Sequence, residues 1–295
     1  MKIFRANAKI NLYLDVLSRR ENGYHELYSV MQSVSLCDLV TIDYHPATSS
    51  KILLHISGNA NVPTDSRNIA WRAAELFLQA TKRSGEVTIV IDKHIPMAAG
   101  LAGGSTDAAA VLRGLNQLCG SPLSMDALCA IGSRLGADVP FCILGGCAVA
   151  EGIGERLTPQ KGLPQCYLVI ACMGDGVSTP QAYGELDQRY DFFSNTRDSL
   201  KGKQLSAMLS HSDKVSALCK HFYNIFEPVV EQTRASVKIL KNCMKDHDAL
   251  YSMMSGSGPS VFGVFEREED ASRACFALRT LGADAFVCYP TEAYK

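Results

Sequence analysis

A two-domain α+β fold is what this chain predicts, and three observations carry the prediction. With 295 residues, 47% of them hydrophobic, the chain has ample material for a packed core and divides more comfortably into two domains than one. A β-type run at 87–92 enters a glycine-rich stretch at 96–106, and an alanine-rich helical run at 107–118 leaves it. Beyond a Lys-Gly-Leu-Pro connection at 161–164, the chain runs β–α–α–β–β–α–β in outline, the mix of an α+β sandwich. The boundary is therefore placed at this connection, with residues 1–160 as the first domain and 161–295 as the second.

Taken in order, 6–17 has strand periodicity: Ile10, Leu12 and Leu14 fall on one side, Asn11, Tyr13 and Asp15 on the other. Lys9 lies inside this strand, either as a solvated edge lysine or as a buried cation in need of a partner. Asn22-Gly23 makes a turn followed by Tyr24 and His25, which fit a plain hairpin or the recognition of a planar ligand. Strands are expected at 27–44 and 51–57, then an amphipathic helix from the Asp65–Asn68 starts to about 81, with Ile69, Ala73, Leu76, Phe77 and Ala80 inward. After 107–118, a Ser121-Pro122 turn leads to a helix at 124–135, stopped by Gly136. Pro140 pushes Val139 out of helical angles, which leaves Asp138 in a short irregular segment. Asp138 is a surface turn aspartate, or its apolar flanks hold it in a partly closed place. A strand at 147–151 ends the first domain. The second has a strand at 167–173, a helix opened by Ser178-Thr179-Pro180, and loops with a short helix over 191–211. A long helix at 228–246, a second glycine loop at 255–260, a strand at 261–265, a helix at 268–281 and a strand at 284–289 complete it.

Composition narrows the function. A net charge of −1 argues against a nucleic-acid binder working by bulk charge. The 11 cysteines are scattered, without a C-x-x-C pair, and read as reduced, buried thiols of a cytoplasmic protein. No segment approaches the length of a membrane span, and residues 1–8 lack the apolar run of a signal peptide.

The 96–106 stretch is where chemistry is expected. Gly100, Gly103 and Gly104 permit close approach of a ligand, and Ser105, Thr106 and Asp107 are good N-cap residues for the helix behind them. A helix start offers unpaired N–H groups and the positive end of a dipole, so the loop suits phosphate. The competing account is a tight turn whose glycines serve helix–strand packing. A Walker loop is excluded because Ser105 and Thr106 stand where Lys is required, and the dinucleotide fingerprint because the glycine spacing differs.

Three separated stretches, A-K-I-N-L-Y-L-D-V at 8–16, P-M-A-A-G-L-A-G-G-S-T-D-A-A at 96–109 and M-S-G-S-G-P-S-V-F at 254–262, resemble the three motifs of the GHMP kinases. With N-G-Y-H at 22–25 and G-A-D-V-P-F at 136–141, the pattern is closest to those members that act on a cytidine-diphosphate-linked methylerythritol. The resemblance implies an N-terminal ATP-binding α/β domain, a C-terminal ferredoxin-like α/β sandwich, and an active site in the cleft between them. It implies that Lys9 and Asp138 are the catalytic pair, with Asp138 the base for the attacking hydroxyl. It makes Pro96, Met97, Ala98, Ala99, Gly100, Leu101, Ala102, Gly103, Gly104, Ser105 and Thr106 the ATP phosphate loop, with Asn68 and Lys93 near the base. Mg²⁺ would be held chiefly by phosphates, and by Ser105. Asn11, Tyr24, His25, Thr179 and Tyr183 fall on the substrate side, His25 at the cytosine edge and the two tyrosines on its faces. The sequence departs from the fullest pattern at Ala98, Ala99 and Ala102, where glycine is common, and at Tyr183, often Phe. Other GHMP kinases, acting on another alcohol, and a non-catalytic sensor on the same fold are the alternatives. The first lack a counterpart of Gly23-Tyr24-His25, and the second would be expected to have lost Lys9 or Asp138.

Overall fold

The computed structural model describes residues 1–58, 62–174, 176, 178–192 and 197–294. The first half consists of β1 (Lys2–Arg19), β2 (His25–Pro46), β3 (Lys51–Ser57), α1 (Ile69–Thr81), β4 (Gly85–Asp92), α2 (Gly103–Leu118), α3 (Met125–Ser133), α4 (Val139–Leu144), β5 (Cys147–Gly152) and β6 (Arg156–Gln160). The second consists of β7 (Tyr167–Cys172), α5 (Thr179–Arg189), α6 (Leu200–Leu209), α7 (Val215–Cys219), β8 (Tyr223–Asn224), α8 (Glu227–Thr233), α9 (Ala235–Asp246), β9 (Tyr251–Met254), β10 (Val261–Phe265), α10 (Glu268–Thr280) and β11 (Asp284–Cys288).

Two sheets organise these elements. The larger is seven-stranded, in the order β3-β4-β2-β1-β8, with β5 pairing another stretch of β2 and β6 pairing β5. The smaller has the order β11-β7-β10-β9, antiparallel throughout. Numbered along the chain, its strands run 4-1-3-2 with helices between, the ferredoxin-like arrangement. The larger sheet draws on both halves: β8, from the second, pairs in parallel with Tyr13 and Leu14 of β1.

β1 lies at the centre and is buried from Ala6 to Val16 without a break. Ala8, Ile10 and Leu12 join a core with Leu168, Ile170 and Phe262 of the second sheet. On the far side, small residues of α2 (Ala108, Ala109, Ala110) pack with Phe77, Ile42 and Ile89. Lys9 is thus a buried cation, not a solvated edge residue. Buried aliphatic side chains such as Ile10 and Leu12 contribute about 1.5–3 kcal/mol each, enough to offset the several kcal/mol that a paired buried charge costs.

The structure revises several expectations. α2 begins at Gly103, four residues before Asp107, because Ala102 takes a left-handed N-cap conformation (φ 59°) that turns the chain into the helix early. Ser105, Thr106 and Asp107 lie inside the first turns and cap nothing. Val139 is helical: Pro140 sits in the opening turn of α4, where its missing N–H costs nothing, and Asp138 is the N-cap. The helix before it ends at Ser133 with Arg134 as C-cap, so Gly136 is not the terminator. The long helix expected over 228–246 is two, α8 and α9, broken at Arg234. β6, α7 and β8 went unpredicted; at five, five and two residues they are too short to show a period. Of the 191–211 stretch, residues 193–196 lie outside the described residues, and α6 supplies the short helix. Among the described residues the cysteines are free thiols and no helix is long and apolar enough to cross a membrane.

Candidate active site

A cavity of about 1120 Å³ opens between the halves, lined by the start of α2, β1, the 23–25 turn, α5 and the 256–257 loop. Most of the predicted site residues meet there: Lys9, Asn11, Tyr24, His25, Asn68, Lys93, Pro96, Met97, Ala98, Ala99, Gly100, Ala102, Gly103, Gly104, Ser105, Asp138, Thr179 and Tyr183. Leu101 and Thr106 do not line it. Leu101 is a core residue, and the buried Thr106 hydroxyl donates to the Asn7 carbonyl at 2.7 Å. A second cavity, about 880 Å³, is lined by 159–167, 289–294 and neighbouring residues and holds none of them.

The loop places a helix start at the cavity wall. No side chain caps α2, so the N–H groups of its first turn are available to an anion, reinforced by the helix dipole. Left-handed angles fall at Ala98 (φ 49°), Gly100 (φ 76°) and Ala102, and the two alanines each store about 1 kcal/mol or more of strain. Gly100 cannot be replaced. A Cβ there would lie 2.1 Å from the Ser255 carbonyl oxygen, where the second glycine loop packs against the first. Gly100→Ala is expected to cost roughly 1–3 kcal/mol in backbone strain before the clash is counted, and to raise the KM for ATP. Thermal unfolding with and without ATP checks this; a variant as stable as the parent would contradict it.

Beneath the loop, Lys93 Nζ is shared by two buried carboxylates, Asp38 Oδ2 and, at 2.7 Å, Asp107 Oδ2. Asp38 Oδ1 also accepts from the His94 and Ile95 backbone N–H, which pins the chain leading into the loop. Burial, and Asp38 competing for the same ammonium, push the Asp107 carboxyl above its ordinary range. Asn68 is the N-cap of α1: its Oδ1 accepts from Ala70 N and its Nδ2 donates to the Pro63 carbonyl. Both residues predicted to lie near the base are therefore already engaged, although Lys93 keeps the third of its three N–H donors.

Beside the loop, whose Leu101 carbonyl accepts from Lys9 N, Lys9 Nζ donates to Asn11 Oδ1 at 2.8 Å and stands 3.7 Å from Asp138 Oδ2, so sequence-distant residues are brought together. Asn11 is fixed in turn: its Nδ2 donates to Ser29 Oγ, and its backbone N–H to Ser255 Oγ, which also donates to the Gly100 carbonyl. Asn11 thus orients Lys9. The Asp138 side chain is 39% exposed and makes no capping bond, free to meet a ligand.

The 23–25 turn faces α5. Tyr24 is 60% exposed at the rim. His25 is buried, with Nε2 donating to Asp187 Oδ1 at 2.7 Å while Arg19 holds Asp187 Oδ2 at 2.9 Å. Tyr183 stacks on the His25 ring at 4.8 Å and meets Phe226 edge-on, so one of its faces is taken by protein. Burial, reinforced by Asp138 and Asp187, pushes the Tyr183 phenol up. Thr179 shares a hydrogen bond of 3.0 Å with Ser257 of the second glycine loop. Asp187 was not predicted, yet a signal existed: 179, 183 and 187 recur every four residues, one face of α5.

A helix start open to an anion, beside a lysine-paired carboxylate in a cleft between the two halves, fits a small-molecule kinase that uses ATP and an alcohol acceptor. Family models agree with that class: the GHMP kinases N terminal domain matches residues 68–146, and the GHMP kinases C terminal domain residues 206–284. The chain belongs to the GHMP kinases. It is 41% identical over 279 residues to 4-diphosphocytidyl-2-C-methyl-D-erythritol kinase of Caldicellulosiruptor saccharolyticus, covering 94% of this chain and 92% of the relative. The Brevibacillus brevis enzyme of the same name is 42% identical over 283 residues, covering 96% and 94%. A crystal structure of 4-(cytidine 5'-diphospho)-2C-methyl-D-erythritol kinase superposes with a TM-score of 0.79 at 34% identity, covering 98% of this chain and 99% of the other. Homoserine kinase from Cytophaga hutchinsonii shares the fold, with a TM-score of 0.75 at 19% identity over 99% and 94%.

Proposed function

We propose that this kinase transfers the γ-phosphate of ATP to the 2-hydroxyl of 4-diphosphocytidyl-2-C-methyl-D-erythritol, giving the 2-phosphate and ADP, a step of the non-mevalonate route to isoprenoids. What supports this reading most is the identity of about 40% to enzymes of that name over more than nine-tenths of the chain.

In this reading the phosphates lie against the open start of α2. The acceptor hydroxyl enters between them and Asp138, which takes its proton as the new P–O bond forms. Lys9, oriented by Asn11, keeps Asp138 ionised and offsets charge at the attacking oxygen. The 3.7 Å separation of the pair leaves room for a hydroxyl to bridge them, and catalytic contacts commonly shorten on binding. Phosphoryl transfer asks little else of a protein than such positioning and charge stabilisation.

The Ser105 hydroxyl and the uncapped helix start line the cavity, a donor set that suits a magnesium ion carried mainly by phosphate oxygens. Ser105 would hold it. Bound, the ion would neutralise charge on the transferred phosphoryl group. At the far end Tyr24 would cover one face of the cytosine and His25 meet its edge, while Tyr183 supports His25 from beneath.

The test is ADP release from ATP with three acceptors offered separately: the cytidine-linked substrate, mevalonate and homoserine. Turnover of the first alone is expected. Turnover only of the latter two would overturn the proposal.

A further inference from the structure

The β1–β2 ladder is interrupted next to Lys9. Asn7 pairs with Cys37, but Lys9 pairs with Ser33, so three residues of β2 stand opposite Ala8 alone. The strap formed by residues 289–294 fills this break. Ser35 N donates to the Tyr289 carbonyl, Val34 bridges Pro290, and Thr291 N donates to the Ser33 carbonyl. Asn7 is claimed as well: its backbone N–H donates to Tyr294 Oη at 3.2 Å and its Nδ2 to Thr291 Oγ1 at 3.3 Å.

Tyr294 joins the three carriers of the site. Its hydroxyl sits on β1 two residues before Lys9, and also donates to the Arg5 carbonyl. Its backbone N–H donates at 2.9 Å to the carbonyl of Leu144, the last residue of the helix that Asp138 caps. Its ring lies under the guanidinium of Arg113, 3.2 Å away, on the helix that begins at the phosphate loop. Gly145 and Gly146 keep the approach open, since a Cβ on either would come within 2.8 Å of Tyr294 or Ala293.

We infer that the strap is a positioning element for phosphoryl transfer, with Tyr294 setting the spacing of Lys9 and Asp138 from behind. The inference rests on those two residues being the catalytic pair. A strand break left open would let β1 regain a regular register, and a small displacement of Lys9 is enough to slow a reaction that depends on alignment. No residue of the strap lines the cavity, and loss of the Tyr294 hydroxyl alone leaves the Arg113 contact to α2 in place, so the effect belongs in kcat.

Tyr294→Phe keeps the ring against Arg113 and removes only the hydroxyl. It is expected to lower kcat about tenfold while both KM values stay within about twofold and the melting temperature is little changed. Thr291→Val, which removes the acceptor of Asn7 Nδ2, is measured beside it, should lower kcat to a lesser degree, and decides the matter if Tyr294→Phe does not fold. Parental kcat in the folded variant overturns the inference, as does a joint change in kcat and both KM values with a lowered melting temperature, the signature of a merely structural staple. Asp138→Asn is assayed in parallel. If it is inactive while Tyr294→Phe is parental, only the strap inference falls; if it is fully active, the catalytic pair was misassigned and both fall.

Discussion

Asp138→Asn is expected to bind ATP with parental affinity and to transfer phosphate roughly 10²–10⁴-fold more slowly, the usual contribution of an oriented general base. The substitution isolates chemistry from folding for two reasons. It is nearly isosteric, and the Asp138 carboxylate caps no helix N–H, so α4 loses no hydrogen bond. Lys9 also keeps its bond to Asn11 and is not left unpartnered. Titration calorimetry with ATP and single-turnover measurement of product separate the two quantities. Activity near the parental level would remove Asp138 as the base.

Lys9→Met is expected to lower kcat by about 10²–10³-fold, the scale on which one preorganised charge or donor acts on a transition state. Here stability changes too. The thioether replaces the buried stem well, but Asn11 Oδ1 loses its donor inside a buried network, which costs about 1–3 kcal/mol. Lys9→Arg should not rescue: the guanidinium is larger, planar and unable to occupy the same point in a site closed by Asn11 and the Leu101 carbonyl that accepts from Lys9 N. Steady-state kinetics together with thermal melts check both parts. An active Lys9→Met would place the essential positive charge elsewhere.

Much of the architecture was legible from residue patterns. The strands of the ferredoxin-like sheet, α1 with its Asn68 cap, and the strand–loop–helix around Gly100 all follow from local period and turn chemistry. What was not legible depended on partners far away in sequence. Residue pattern alone left Lys9 open between a solvated edge residue and a buried cation, and only the resemblance paired it with Asp138; that Asn11 holds its ammonium was not visible. Thr106 reads as a cap until its hydroxyl is seen to bind Asn7, and residue pattern does not show that Asn68 and Lys93, both on the cavity wall, are also held by Pro63, Asp38 and Asp107. Ala102 stands where glycine is common in the fullest pattern, but residue type does not show its left-handed angle, and with it the true start of α2. Asp187 was within reach, four residues past Tyr183, but helical spacing alone does not say that His25 waits across the cleft.

The parallel pairing of β8 with β1 means that the first half does not own the whole of its sheet: one of the seven strands comes from the second. Asn224 of β8 donates in turn to the Met254 and Gly256 carbonyls, at the mouth of the second glycine loop. Loss of order in the second half would strip the outer neighbour from the strand that carries Lys9 and at the same moment release the loop that braces Gly100.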